Sequence, residues 1–233
     1  MTAIFKREFK AFYTSPIGYV VTAVLLLFQG LYFAMMYSYG YPDVTYVFEM
    51  SFTIIFFIVP ILTMRLLSED RRQKVDQALM TAPVSLWGIV LGKFLAAVAV
   101  FMLSFSVTLV FQVIISFYVT LNWFIYIGNI VGLLLFGGSL ISIGLFVSSL
   151  TESQVVAAVG TFAISFSIFM LDDIAGLINN SVVTSIVKAI SFKGRYDTFV
   201  SGIFDYSNAV FFLSFIAVFL FLAVRMLEKK RYS

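Results

Sequence analysis

The chain has neither cysteine nor histidine among its 233 residues. These two side chains provide the thiolate nucleophiles, the disulfides, the imidazole bases and most zinc and haem ligands of proteins. Their absence argues against most metalloenzymes and against hydrolases that use a Cys or Ser–His nucleophile. We therefore predict that this chain is not an enzyme, with no catalytic residue, no metal ligand and no cofactor of its own.

A phosphate-binding loop is missing as well. Gly88, Gly92, Lys93 and Phe94 come nearest to one, but the two glycines are one residue too close together. Phe94 stands where a magnesium-binding Ser or Thr is required, and no strand precedes the segment. Acidic residues are also missing from the centres of the apolar stretches, which disfavours a proton-driven carrier. Any use of ATP must therefore involve a separate subunit.

Apolar residues dominate what is present. Charged residues make up only 12% of the chain and hydrophobic residues 61%, with a mean hydropathy of +1.04. A hydrocarbon core about 30 Å thick needs about 20 helical residues per crossing. We predict one all-α integral membrane domain over 1–233 with six transmembrane helices, near 17–36, 47–64, 88–119, 124–148, 154–171 and 208–224.

The cations are sorted between alternate connections of these spans. If the chain starts inside, the inner segments hold twelve of the fifteen and the outer ones hold only Lys188, Lys193 and Arg195. This is the positive-inside bias of multi-pass membrane proteins, and it predicts that both termini are cytoplasmic. No contiguous basic face is formed, so we predict no nucleic-acid partner.

The first fifteen residues predict a helix that lies in the membrane interface. Its aromatic residues recur at helical spacing against charged ones, Phe5, Phe9 and Phe12 against Lys6, Arg7, Glu8 and Lys10, and the cations among these can face lipid phosphates. Ser15 followed by Pro16 is typical of the start of a new helix.

Two further connections are long. Residues 65–87 are the most polar stretch and predict a cytoplasmic region with one or two short helices that end before Pro83. Residues 172–207 form the predicted extracytoplasmic excursion. Apolar residues recur there at helical intervals from 174 to 190, which predicts re-entrant or interfacial helices between spans five and six.

The fourth span is rich in small residues, among them Gly128, Gly132, Gly137, Gly138 and Gly144. Small residues let transmembrane helices approach closely. The pattern is compatible with packing inside one bundle, and also with a contact between subunits or a moving hinge.

Several stretches together resemble the six-span permease subunits of ABC-2 type transporters. The resemblance is to the branch of gliding-motility-associated and nitrous-oxide-reductase-maturation permeases, and it rests on Ile4–Lys10, Ser15–Tyr19, Met64–Arg72, Leu79–Ser85, Val90–Phe94 and Phe199–Asp205. Two positions depart from that branch. Lys74-Val-Asp-Gln77 replaces its Gly-Thr and Glu, and Arg195-Tyr196 replaces its His and aromatic residue.

This resemblance implies partners and site residues. It implies two cytoplasmic ATPases that bind ATP and magnesium, a second permease chain that is identical or different, membrane lipid, an extracytoplasmic auxiliary protein, and a bacterial or archaeal inner membrane. Residues implied in ATPase coupling are Lys6, Arg7, Glu69, Asp70, Arg71, Arg72, Asp76, Thr81, Pro83 and Glu152. Those implied in an outer motif are Arg195, Tyr196, Gly202 and Asp205.

Two functions stay open at this point. One is an exporter of a hydrophobic or amphipathic envelope substrate, because 28 Phe and 12 Tyr leave little polar lining for a hydrophilic pore. The other is a membrane scaffold, or a mechanotransmission or assembly subunit, without a substrate path.

Overall fold

The computed structural model describes residues 1–40, 43–75, 84–120, 122–177, 187 and 190–231. Over these residues every regular element is a helix. The helices are α1 (Thr2–Thr14), α2 (Pro16–Ser38), α3 (Thr45–Thr63), α4 (Ser68–Arg72), α5 (Leu86–Phe105), α6 (Val107–Ser116), α7 (Trp123–Leu150), α8 (Gln154–Leu177), α9 (Phe192–Val200) and α10 (Tyr206–Arg231).

Six segments are long and apolar enough to cross a membrane, which confirms the predicted six-span, all-helical architecture. They are Pro16–Ser38, Thr45–Arg72, Leu86–Ser116, Trp123–Leu150, Gln154–Leu171 and Tyr206–Lys230. Helix α8 continues to Leu177, so the first six residues of the predicted excursion extend the fifth span's helix. The rest of the helical pattern predicted up to 190 lies outside the described residues, apart from Val187 and Ile190.

The third span is not the single helix that its apolar run predicts. Helix α5 ends at Phe105 and α6 begins at Val107. At this junction the Ser106 hydroxyl donates to the Leu103 carbonyl and the Thr108 hydroxyl donates to the Phe105 carbonyl, each over 2.7 Å. Hydroxyls bonded to preceding carbonyls bend helices in this way. Hydropathy alone does not reveal such a break, because the flanking residues remain apolar.

Helix α7 is the centre of the bundle. In its most apolar window 78% of the residues are buried, against 22% for the first span and 17% for the fifth. Its glycines permit this, because a methyl group on Gly137 would overlap the Phe101 ring and one on Gly144 would overlap the Thr63 side chain. These two glycines therefore serve packing within one chain.

A stack of aromatic rings fills part of the bundle interior. Phe52 stacks on Phe136 with centroids 4.8 Å apart and on Tyr196 at 5.3 Å. Phe136 also contacts Tyr196, Phe192 and Phe212. This stack joins α3, α7, α9 and α10.

Candidate functional site

Helix α1 packs against the first turns of α5 and buries one stripe of side chains. The buried positions are Ile4, Glu8 and Phe12, one turn apart. Gly92 makes room for this contact, since a Cβ there would lie 2.9 Å from Ile4 Cγ2. The sequence prediction placed Glu8 among the charged residues that oppose the aromatic ones. That placement is wrong, because the stripe that meets α5 is rotated from the aromatic one.

Glu8 belongs to a cluster of four charged side chains. Lys93 is at its centre and is only 1% exposed. Lys93 Nζ lies 3.0 Å from Glu8 Oε1 and 2.7 Å from Asp70 Oδ2. Arg7 Nη2 lies 2.5 Å from Glu8 Oε1 and 3.5 Å from Asp70 Oδ2. We call Arg7, Glu8, Asp70 and Lys93 the charge cluster. It is electrically neutral and joins α1, α4 and α5.

The contact between Asp70 Oδ2 and Lys93 is an ion pair by charge and distance, although Asp70 Oδ2 makes no well-directed hydrogen bond with the residues that the structure describes. The two charges attract each other all the same, because Coulomb attraction depends little on angle whereas hydrogen bonding depends on it strongly. A pair of this kind can tilt without losing its attraction.

The pKa of Glu8 reflects this environment. Burial acts to raise the pKa, but the charges of Lys93 and Arg7 and their hydrogen bonds outweigh it, so the net pKa lies below its ordinary value of 4.5. Glu8 is therefore ionised at neutral pH, which preserves its attraction for both cations.

A second group of contacts lies beside the charge cluster. Arg65 pairs with Glu69, with Nε 3.0 Å from Oε2. It also donates to the Ser15 hydroxyl, and its guanidinium lies 5.3 Å from the centroid of the Phe12 ring. Ser15 is the residue that separates α1 from α2, as predicted, so Arg65 ties this junction to the end of α3.

Helix α7 contacts the turn between α3 and α4 through Ser148. The Ser148 hydroxyl accepts from the backbone amides of Leu67 and Ser68, each over 3.0 Å, and donates to the Met64 carbonyl over 3.1 Å. A buried turn must have its backbone groups paired. Ser148 does this for the turn between α3 and α4.

The residues implied in coupling divide into two sets. Arg7 and Asp70 are in the charge cluster, Glu69 pairs with Arg65, and Arg71 is buried. Lys6, Arg72 and Glu152 are exposed, and Glu152 follows α7 in a turn next to α4, which contacts both α7 and α8. Asp76, Thr81 and Pro83 lie outside the described residues.

Glu8 and Lys93 were not predicted from the sequence as site residues. Lys93 entered the sequence analysis as an inner cation, in the rejected phosphate-binding loop and within the Val90–Phe94 stretch of the resemblance, but not as a site residue. Its position inside an apolar run was the signal that could have revealed it, because a lysine there needs a buried acidic partner. Glu8 carried a weaker signal, its one-turn spacing from Ile4 and Phe12.

The predicted outer motif lies at the opposite end and connects α9 to its neighbours. The Tyr196 hydroxyl donates to the Phe48 carbonyl over 3.0 Å, and burial, followed by the charges of Asp197 and Glu49, raises the pKa of Tyr196. Arg195 donates to Asn208 over 2.8 Å and lies 4.1 Å from the centroid of the Phe211 ring.

Asp205 and Gly202 shape the link from α9 to α10. Asp205 Oδ1 accepts from the Ser207 amide over 2.8 Å at the start of α10. Gly202 has a φ of +76°, which favours glycine. Within the described residues no group of three or more acidic side chains is arranged to hold a metal ion.

A comparison with known protein families gives a match. The profile of a protein family described as ABC-2 type transporter matches residues 1–172, which include the charge cluster and the first five spans. No curated protein matches the chain in a sequence comparison.

Proposed function

This chain belongs to the ABC-2 type transporter family, and from that membership we propose that it is a multi-pass permease subunit moved by a separate ATPase. The charge cluster is the observation that carries the proposal. The resemblance assigned α1 and the region after α3 to contact with the ATPase, and the cluster joins these two elements to each other and to the third span.

The charged residues then have different tasks. Lys6, Arg72 and Glu152 are exposed and suit direct contact with the ATPase. Asp70, Glu8 and Lys93 are enclosed by the chain itself, so we propose that they position α1 and α4 for that contact. This division revises the direct contact that the resemblance implied for Asp70.

The enclosed ion pairs also explain how a displacement of α4 is transmitted to the rest of the bundle. Separating opposite charges in a buried place is costly, because each would lose its partner without regaining water. A displacement of α4 therefore moves α5 through Lys93 and α1 through Glu8 and Arg7. Ser148 and Arg65 extend the linkage to α7 and to the α1–α2 junction.

We propose that ATP binding closes two ATPase subunits beneath two permease chains and shifts the population between two arrangements of the bundle. The ring stack of Phe52, Phe136 and Tyr196 occupies the interior of a single chain. A substrate path would then lie between two chains, and its apolar walls favour export of a hydrophobic or amphipathic envelope substrate. We place the complex in a bacterial or archaeal cytoplasmic membrane.

The same ring stack favours the alternative of a scaffold or mechanotransmission subunit without a path. Reconstituted complexes distinguish the two functions. ATP turnover that responds to a transported amphiphile supports the exporter. Turnover that responds to an extracytoplasmic partner protein, and to no amphiphile, supports the alternative.

Charge reversal at the exposed positions tests the proposed ATPase contact. We expect K6E/R72E to reduce the ATPase activity that copurifies with the tagged chain, while its helicity and membrane insertion are retained. K193E is the matched control, because Lys193 is equally exposed at the opposite end. Undiminished copurification with K6E/R72E, or transport by the chain alone, would refute the proposal.

A further inference from the structure

A polar cavity lies at the end of the bundle opposite to the charge cluster. It measures about 230 Å³ and is bounded by the start of α3, by α6 and by the first turns of α7. Since one water needs roughly 15 Å³ by this measure, the space holds much more than a single solvent molecule. Its polar lining comes mainly from Asp43, Thr45, Gln112, Asn122 and Asn129.

Gln112 is the side chain that marks this cavity as a binding site. It is 4% exposed, and its amide forms no hydrogen bond with any residue that the structure describes. An amide on the wall of a cavity can pair there with a polar ligand. One face of Gln112 lines the cavity, so both its N–H groups and its oxygen are accessible to a ligand there.

Some of the neighbouring polar groups are already engaged. With its amide assigned from the hydrogen-bond network, Asn129 donates to the carbonyls of Phe199 and Val200 over 3.0 and 3.1 Å. The Tyr126 hydroxyl meets Thr108 Oγ1 at 3.2 Å. Asp43 stands exposed at the mouth and accepts from the Thr45 amide over 2.9 Å. The amide of Gln112, the N–H groups of Asn122, the Thr120 hydroxyl and the remaining acceptor positions of Asp43 are left to recognise a ligand.

These groups favour a ligand that both donates and accepts hydrogen bonds. No cation lines the cavity among the described residues, so a phosphate or a carboxylate would be repelled by Asp43 without compensation. An ammonium group would suit Asp43 but cannot accept from the N–H groups of Gln112. A hydroxyl both donates and accepts, and it satisfies both residues.

An apolar cleft shares helix α6 with this cavity. Phe33 and Met36 of α2 and Ile114 and Ile115 of α6 line it, and its volume is about 150 Å³. The same helix thus presents a polar recess and an apolar surface at one end of the bundle. This arrangement matches a molecule with a hydroxylated head and a hydrocarbon chain.

We propose that the cavity binds the hydroxylated headgroup of a membrane lipid through Gln112. The inference rests on the proposed function for its orientation, which places the cavity in the outer leaflet. It also narrows the amphipathic substrate class to molecules with a sugar-like or polyol head.

The fluorescence of Trp123 can report ligand binding in the cavity, and the experiment that tests the proposal uses it. It follows Asn122 at the cavity and its ring contacts Tyr126 with centroids 6.1 Å apart. The chain has two tryptophans, so W87F leaves Trp123 as the single one. The W87F chain alone is placed in phosphatidylcholine nanodiscs that contain either glucosyl diacylglycerol or plain diacylglycerol. Free maltose added to phosphatidylcholine nanodiscs forms the third arm.

We expect a saturable change in Trp123 emission with glucosyl diacylglycerol and none with diacylglycerol. Q112L should weaken the apparent affinity about tenfold, and the isosteric Q112E should weaken it too because its carboxylate does not donate. Q154L is the control, since Gln154 lies at the other end of the bundle. Equal responses to both lipids, or a response unchanged in Q112L and Q112E, would overturn the proposal.

A Gln112-dependent response to maltose without glycolipid would support the hydroxyl chemistry but overturn the lipid as its source. Because the nanodiscs hold no ATPase, failure of this test leaves the copurification result of K6E/R72E unaffected. Failure of copurification would likewise leave the binding result standing.

Discussion

Lys93 Nζ in the third span lies 2.7 Å from Oδ2 of Asp70 in the short helix that follows the second span. Lys93 is 1% exposed, so the pair is almost completely enclosed. Enclosed pairs contribute little net stability when both partners are present, but removing one partner leaves an uncompensated charge. The pair is therefore better suited to fixing the position of α4 on α5 than to stabilising the bundle, and this has testable consequences.

Removing one partner of the Lys93–Asp70 pair should destabilise the chain more than removing both. We expect K93M to destabilise the chain by about 3 kcal/mol, because Glu8 and Asp70 are then left with Arg7 alone. D70N should cost less, since Lys93 keeps Glu8. The double variant K93M/D70N should lose about 1–3 kcal/mol less unfolding free energy than the two single losses added together. Denaturant titration in mixed micelles measures this coupling, and additive effects would show that the pair is not coupled.

The stability of the chain should depend on pH through Glu8. Its folded-state pKa is below the ordinary value of 4.5, so its stabilising contribution is complete above about that pH. The contribution is lost as the pH falls through the folded-state pKa. Thermal unfolding followed from pH 7 downward should show a decline that is smaller in E8Q. An E8Q profile parallel to that of the native chain would contradict this assignment.

Packing around α7 should be sensitive to a single methyl group. We expect G144A to destabilise the chain by about 1–3 kcal/mol, because the new Cβ overlaps the Thr63 side chain. A Cβ added at Gly30 would meet no neighbouring atom within 4 Å, so G30A is the matched control. It should be neutral or slightly stabilising, as alanine is the better helix former. Equal effects of the two substitutions would show that α7 tolerates expansion.

The hydroxyl of Tyr196 should anchor α9 to α3. Y196F removes its hydrogen bond to the Phe48 carbonyl and should cost about 1 kcal/mol, while the stacked ring is kept. Tyr206 is 78% exposed, so Y206F should leave the free energy of unfolding unchanged. A neutral Y196F would mean that ring packing alone holds this helix.

The orientation of the chain can be tested directly, because it has no cysteine of its own. Single cysteines at the exposed positions Arg72 and Lys193 lie at opposite ends of the bundle. In intact cells an impermeant maleimide should label K193C at once and R72C only after permeabilisation. The reverse pattern would invert the predicted topology and remove the ATPase contact from the proposed surface.

Several features of this protein could be predicted from local sequence. Six spans and a helix before the first of them follow from runs and spacing of apolar residues, and the structure confirms these elements. The Ser15–Pro16 start of α2 was likewise recognisable, because its chemistry lies within two residues. The break near Ser106 could not be recognised from the sequence, because serine and threonine in an apolar run bend a helix only when their hydroxyls bond to the backbone.

The candidate site was predicted only in part. Spacing along α1 showed that one side must be apolar, but the sector that becomes buried depends on the helix it meets. Glu8 was placed on the wrong side for this reason. Arg7 and Asp70 were singled out by resemblance, whereas Lys93, which contacts Asp70 and Glu8, was not predicted as a site residue.

The amino-acid sequence by itself determined that this chain is a six-span membrane protein, because the free energy of placing a segment in lipid is summed locally over its own residues. Tertiary structure alone decided which charges are enclosed together and which polar side chain is left facing a cavity. The attraction of Lys93 for Asp70 and for Glu8 depends on the distances of α5 from α4 and from α1. Packing sets these distances, and the space that Gly92 leaves for Ile4 sets the one between α5 and α1.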